Sequence, residues 1–114
     1  MIDCLFCKFV SSEIKIEKIF ENNNMIAFND INPQAPIHIL IIPKLHISTL
    51  NDLEENNNQL IGELFFVASQ LAKKNGFSTD GYRTLINCNK FGGQTVFHIH
   101  LHLLAGRQLL WPPG

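Results

Sequence analysis

The chain has 114 residues, 46% of them hydrophobic, with nine Lys and Arg against ten Asp and Glu. That length supports one domain, 1–114, with a real core, and leaves no room for a second. A net charge of −1 with no basic block longer than Lys73-Lys74 excludes an extended nucleic-acid groove, because tracking phosphates takes clustered cations.

Asp3 is placed to cap a helix over 4–10 that Ser11-Ser12 ends. Residues 14–20 alternate isoleucine with charge and predict a strand or strand edge. Residues 21–24 read as a turn and 25–28 as a short strand. Pro33 and Pro36 make 29–36 a loop. Residues 37–43 are nearly continuously apolar, which predicts a strand covered on both faces, His38 sharing one of them with Leu40. A helical turn near 51–54 and a polar loop at 56–58 precede the main helix, 59–74. Leu60, Ile61, Leu64, Phe65, Ala68, Leu71 and Ala72 form its stripe, while Phe66 and Val67 point to a second covered face. Asn75-Gly76 ends it. A strand over 81–87, a glycine loop over 89–94 and a last strand over 97–104 complete an α+β domain. Its sheet is largely antiparallel, of about five strands, with one main helix and a short N-terminal one.

That last strand carries the chemistry. In Phe97-His98-Ile99-His100-Leu101-His102-Leu103-Leu104, histidine alternates with an apolar residue three times. Strand side chains alternate faces, so His98, His100 and His102 share one side, with Cα atoms about 6 to 7 Å apart along it. One histidine would read as core. Three unpaired rings would cost several kcal/mol to bury without a purpose. The spacing suits one phosphoryl group or one metal ion. Gly92-Gly93-Gln94-Thr95, just upstream, offers close backbone N–H groups and a hydroxyl to an anion, and Asn87 an amide. A neutral imidazole is a competent nucleophile near pH 7, and His100, flanked on both sides, is the natural attacker. Cys88 reads as a small buried thiol rather than a nucleophile. Cys4-x-x-Cys7 is half a zinc site, completed if His46 and His98 supply the other ligands.

Taken together, the residues resemble a family. His98-Ile99-His100-Leu101-His102-Leu103-Leu104 matches the histidine-triad signature. Asp30-Ile31-Asn32-Pro33-Gln34-Ala35-Pro36, Ile42-Pro43-Lys44-Leu45-His46, Gly81-Tyr82-Arg83, Gly92-Gly93-Gln94 and Trp111-Pro112-Pro113-Gly114 also look like the family's nucleotide-binding branch, once described as protein kinase C inhibitor-like. The resemblance implies a homodimer whose two half-sheets join into one. It implies hydrolysis of purine nucleoside phosphoramidates through a covalent nucleotidyl-histidine, with release of the nucleoside monophosphate. It assigns His100 as nucleophile, supported by His38, His98 and His102. Asn87, Gly93, Thr95 and His102 would hold phosphate, Asp30 the ribose hydroxyls, and Phe6, Phe9, Phe28 and Ile31 the base. In the dimer, Trp111 of one chain would stand near the amine side of the other chain's site, the alternative being that it covers core. Thr95 replaces the branch's usual serine. Many close members lack the complete Cys-x-x-Cys, whereas more distant ones use it with two histidines for zinc, so zinc stays open and no cofactor is required. Two other functions stay open: dinucleoside polyphosphate hydrolysis or nucleotidyl transfer, and a nucleotide-binding regulator. Three cysteines without a leader at Met1-Ile2-Asp3, and no run near the roughly 20 apolar residues of a membrane helix, indicate a reducing interior, cytoplasmic or also nuclear.

Overall fold

The computed structural model describes residues 3–114; Met1 and Ile2, on which part of the leader reading falls, lie outside the described residues. The elements are α1 (Leu5–Val10), β1 (Phe20–Glu21), β2 (Met25–Asn29), β3 (Ile37–Pro43), α2 (Asn58–Lys74), β4 (Tyr82–Ile86), α3 (Asn89–Gly92) and β5 (Leu101–Ala105). The strands form one antiparallel sheet in the order β1-β2-β3-β5-β4. No described helix is long and apolar enough to cross a membrane.

The near-continuous apolar run of β3 has its physical reason in two layers. On one face, Ile39 and Ile41 pack with Met25, Leu101, Leu103 and the buried stripe Leu64, Val67, Ala68, Leu71 and Ala72 of α2. On the other, Leu40 and Ile42 pack with Ile26, Phe28, Cys4 and Phe6 of the α1 side. Each large aliphatic side chain sealed in this way contributes about 1.5–3 kcal/mol. The central strands are therefore apolar on both sides, and His38 enters the α1 side as the exception.

Several boundaries differ from expectation for local reasons. Asp3 does not cap α1. The Cys4 sulfur accepts from the Cys7 backbone N–H at 3.4 Å, and Asp3 pairs with Lys8 at 3.1 Å instead. Residues 14–20 do not form a strand; pairing begins at Phe20, and 15–18 run outside the sheet. Residues 50–57 hold two short 3-10 turns that lead directly into α2, in place of one turn and a loop. The glycine loop contains the short helix α3, which Gly93 ends in the left-handed region at φ 84°.

The histidine strand starts late. Pairing with β3 and β4 begins at Leu101, so His98 and His100 precede the ladder. Their segment is held by the chain after β3: Ile99 N–H donates to the Ile47 carbonyl at 2.7 Å. The extended path keeps the alternation. Ile99, Leu101 and Leu103 enter the α2-side core, and the histidines face α1. Phe97 is the exception on the apolar side, half-exposed rather than core.

Candidate active site

The histidines meet a cleft of about 770 Å³ between α1, β2 and the segment before β5. Phe6, Phe9 and Phe28 form its aromatic wall, with ring centroids 5.2 to 5.8 Å apart. Asp30, Ile31, Thr95, His100 and His102 also line it.

Hydrogen bonds fix the imidazole tautomers. The Gln34 backbone N–H donates to His38 Nδ1 at 3.0 Å, so His38 carries its proton on Nε2. That nitrogen stands 2.9 Å from His102 Nδ1 and 3.4 Å from an Asp30 carboxylate oxygen. His102 Nδ1 is thus an acceptor, and its own proton sits on Nε2, a buried atom with no partner among the described residues. An orphaned buried donor costs free energy unless something arrives to accept from it. His100 is set the other way round. Its Nδ1–H donates to the His98 carbonyl at 2.8 Å, leaving the Nε2 lone pair free. The His100 and His102 rings lie 4.9 Å apart, centroid to centroid. A nucleophilic nitrogen and an unused donor therefore stand side by side at one end of an apolar slot.

Burial keeps these rings neutral. It pushes His102 down to about 4, helped by the neighbouring His100 and His38. It also lowers His38 and His100, against the opposing pull of Asp30 on the first and of the His98 carbonyl on the second. The consequence for stability has a definite sign. An unfolded histidine takes its proton near 6.5, and native His102 resists until about 4. Between those values the unfolded chain binds more protons, so stability is intact above 6.5 and declines as pH falls toward 4. The thermal midpoint is expected to drop by roughly 5 °C or more from pH 7.5 to pH 5, and a midpoint level across that range in scanning calorimetry would contradict the assignment.

Not every expected residue comes to the cleft. His98 is fully buried and does not line it. Its Nε2–H donates to the Pro43 carbonyl at 2.8 Å, and burial brings it down to about 4. Its backbone carbonyl accepts from His100 Nδ1–H, so its support of His100 is to orient that ring from outside the cleft. Asn87, Gly93 and Trp111 are not among the lining residues, and Trp111 is 82% exposed within one chain. Two groups take roles that the motifs containing them did not reveal. The Gln34 N–H fixes the tautomer of His38, and buried Gln94 ties the Asn89 N–H to the Ser48 and Val96 carbonyls.

The expected metal ligands do converge. The ligand atoms of Cys4, Cys7, His46 and His98 all lie within 4.8 Å of one another. His98 Nε2 is committed to Pro43 and His46 Nε2 to the Ser48 hydroxyl at 3.1 Å, so both Nδ1 lone pairs face inward, 3.2 Å apart. Cys7 Sγ stands 3.3 Å from His46 Nδ1 and 3.5 Å from His98 Nδ1. Burial and the Cys4 sulfur push the Cys7 thiol up to about 11, so a thiolate there needs a cation beside it. Two sulfurs and two inward imidazole nitrogens fit a closed tetrahedral zinc site.

The family model described as HIT domain matches residues 11–109. The chain belongs to the HIT domain family. It is 44% identical over 107 residues to the purine nucleoside phosphoramidase of Escherichia coli, covering 94% of this chain and 90% of that protein. It is 45% identical over 112 residues to a HIT-like protein of Synechococcus elongatus, covering 98% and 97%. The crystal structure of a HIT family hydrolase from Legionella pneumophila superposes with a TM-score of 0.96 at 52% identity, covering 98% of this chain and all of that one. A histidine triad protein from Clostridium difficile gives 0.92 at 41% identity, covering 96% of each chain.

Proposed function

We propose that this HIT domain is a purine nucleoside phosphoramidase. The observation that carries the reading is the pairing of the free His100 Nε2 with the unpartnered His102 Nε2–H at the end of the aromatic cleft. The likeness to the E. coli phosphoramidase supports it. The purine lies against Phe6, Phe9 and Phe28, and Asp30 accepts from the ribose hydroxyls. Thr95 stands at the phosphate; Asn87 and Gly93, which do not line the cleft, would have to reach the phosphate from the adjoining loop. His100 Nε2 attacks phosphorus, forming an N–P bond as the bond to the amine nitrogen breaks, and that nitrogen takes a proton from solvent to leave as the free amine, a proton returned when the second-step water gives up its own. The imidazolium so formed keeps its Nδ1–H on the His98 carbonyl, where the developing charge is stabilised. His102 Nε2–H supports the phosphoryl oxygens, backed by His38 and Asp30. Water then attacks phosphorus, the N–P bond breaks, and nucleoside monophosphate leaves with His100 neutral again. Incubation with an adenosine phosphoramidate and, separately, a diadenosine polyphosphate tests it. AMP and free amine are expected from the first at the higher rate, and preferential cleavage of the second would overturn the reading.

The zinc ion that Cys4, Cys7, His46 and His98 would hold is structural. Four protein ligands leave no open position for substrate, so catalysis is metal-independent. About one equivalent of zinc per chain is expected by mass spectrometry, and P–N cleavage is expected to survive chelation. Loss of cleavage in metal-free protein whose circular dichroism is unchanged would show the metal to be needed.

The active unit is a homodimer. β4 leaves one edge of the sheet unpaired, and Phe65 and Phe66 project from α2 into solvent within one chain. Such edges and patches favour association. Trp111, exposed within one chain, tunes the choice of leaving amine across the dimer. Sedimentation at micromolar concentration is expected to give a dimer, and Phe66→Glu a monomer. Sedimentation of the unmodified chain as a monomer would refute the assembly. Three free cysteines suit a reducing cytoplasm, and the E. coli and Synechococcus relatives give a nucleus no support.

A further inference from the structure

One charged group of the cleft wall has no part in the chemistry above. Residues 15–18 belong to no strand, and Ile14, Ile16 and Glu17 line the cleft with Phe6, Phe9 and Phe28. The remaining polar lining is accounted for. Asp30 is turned by the Asn32 N–H and His38, Asn29 closes β2 beside it, and Thr95, His100 and His102 form the phosphoryl end. Of the nearby lysines, Lys8 pairs with Asp3 and Glu13, and Lys18 and Lys44 pair with Glu21, while exposed Lys15 makes no ion pair among the described residues. Among the described residues Glu17 has no ion pair and no side-chain hydrogen bond.

Aromatic walls grip any purine alike, and an apolar pocket discriminates weakly between similar rings. A carboxylate does better, because it only accepts. Guanine presents two adjacent donors, N1–H and N2–H, that the two carboxylate oxygens can accept together. Adenine sets its N6 amine beside the N1 lone pair, so a carboxylate gains one bond and meets one repulsion. Hypoxanthine, with N1–H alone, falls between.

We propose that Glu17 reads the base and gives this enzyme a preference for guanosine over adenosine nucleotides. The proposal rests on the reading that places a purine in this cleft. It is tested by titrating GMP, IMP and AMP into the wild type, Glu17→Gln and Glu17→Ala, with turnover of guanosine and adenosine phosphoramidates measured alongside. The wild type is expected to bind GMP about tenfold more tightly than AMP, with IMP between. Glu17→Gln should reverse that order, because an amide donates to adenine N1 while accepting from N6. Glu17→Ala should bring the two nucleotides to near parity without moving the thermal midpoint, since Glu17 is exposed. A GMP-to-AMP ratio that is the same in all three proteins, or an AMP preference that Glu17→Gln weakens, overturns the proposal. Binding separates it from the activity. A Glu17-dependent GMP preference without P–N cleavage would support the base reading and sink the phosphoramidase, and a wild type that binds no nucleotide would sink both.

Discussion

Replacing His100 by alanine is expected to lower turnover of a nucleoside phosphoramidate by about 1,000-fold or more, the scale seen when a nucleophile acting as one unit with its partners is removed. AMP affinity is expected to stay within a few-fold. The split follows from geometry. Binding draws on the aromatic wall, Asp30 and the donors at the phosphate, whereas His100 contributes a lone pair that matters once the P–N bond begins to break. Quenching the wild type during turnover with denaturant at alkaline pH, where an N–P bond to histidine survives, should trap nucleotide covalently on the chain, and His100→Ala should trap none. A variant that still hydrolyses at near the wild-type rate would remove His100 from the nucleophile's place. Replacing His102 with asparagine makes a useful contrast: the lone pair of His100 survives, so intermediate should still form, only slowly.

Where pattern and packing agree, the sequence was enough to read the fold. β3 was legible to the residue because its run of isoleucines has cover on both sides. α2 was legible because Leu64, Ala68, Leu71 and Ala72 follow the helical period into the core. The misreadings share one cause, backbone or side chains satisfied by partners far off in the chain. Residues 14–20 alternate like a strand, yet Ile14, Ile16 and Glu17 wall the cleft instead of pairing. The last strand begins three residues after His98 because the Pro43 and Ile47 carbonyls, 55 and 52 positions away from their donors, take up the His98 ring and the Ile99 N–H. For the site, alternation alone put His98, His100 and His102 on one face. The Cys-x-x-Cys pair pointed to His46 and His98 as its partners, and the four do converge; what no pattern could reveal is that His98 acts on the cleft only through its carbonyl.

Gly106→Ala is expected to be the most damaging single-methyl change in the chain. From sequence alone this glycine is just where pairing stops. In the fold it has φ 95°, in the left-handed region, and an added Cβ would come within 2.9 Å of Pro36 Cβ and 3.2 Å of its Cγ. The proline ring cannot rotate aside, so its backbone must move. Together the strained backbone and the overlap should cost about 2–4 kcal/mol, lowering the thermal midpoint by roughly 10 °C or more. Gly76→Ala separates the two terms. Gly76 has a similar φ of 82° with nothing within 4 Å, so alanine there carries the dihedral cost alone, about 1–2 kcal/mol. The damage at Gly106 should also reach the chemistry. Pro36 belongs to the loop that sets His38: Arg107, the next residue after Gly106, donates twice to the Gln34 carbonyl at 3.0 and 3.1 Å, and the Gln34 N–H fixes the His38 tautomer. Shifting that loop loosens the support behind His102, so kcat should fall in Gly106→Ala even at temperatures where the protein is fully folded, while Gly76→Ala turns over normally. Equal midpoints and equal kcat for the two variants would mean that Pro36 yields freely and that the contact with Gly106 does not set the loop.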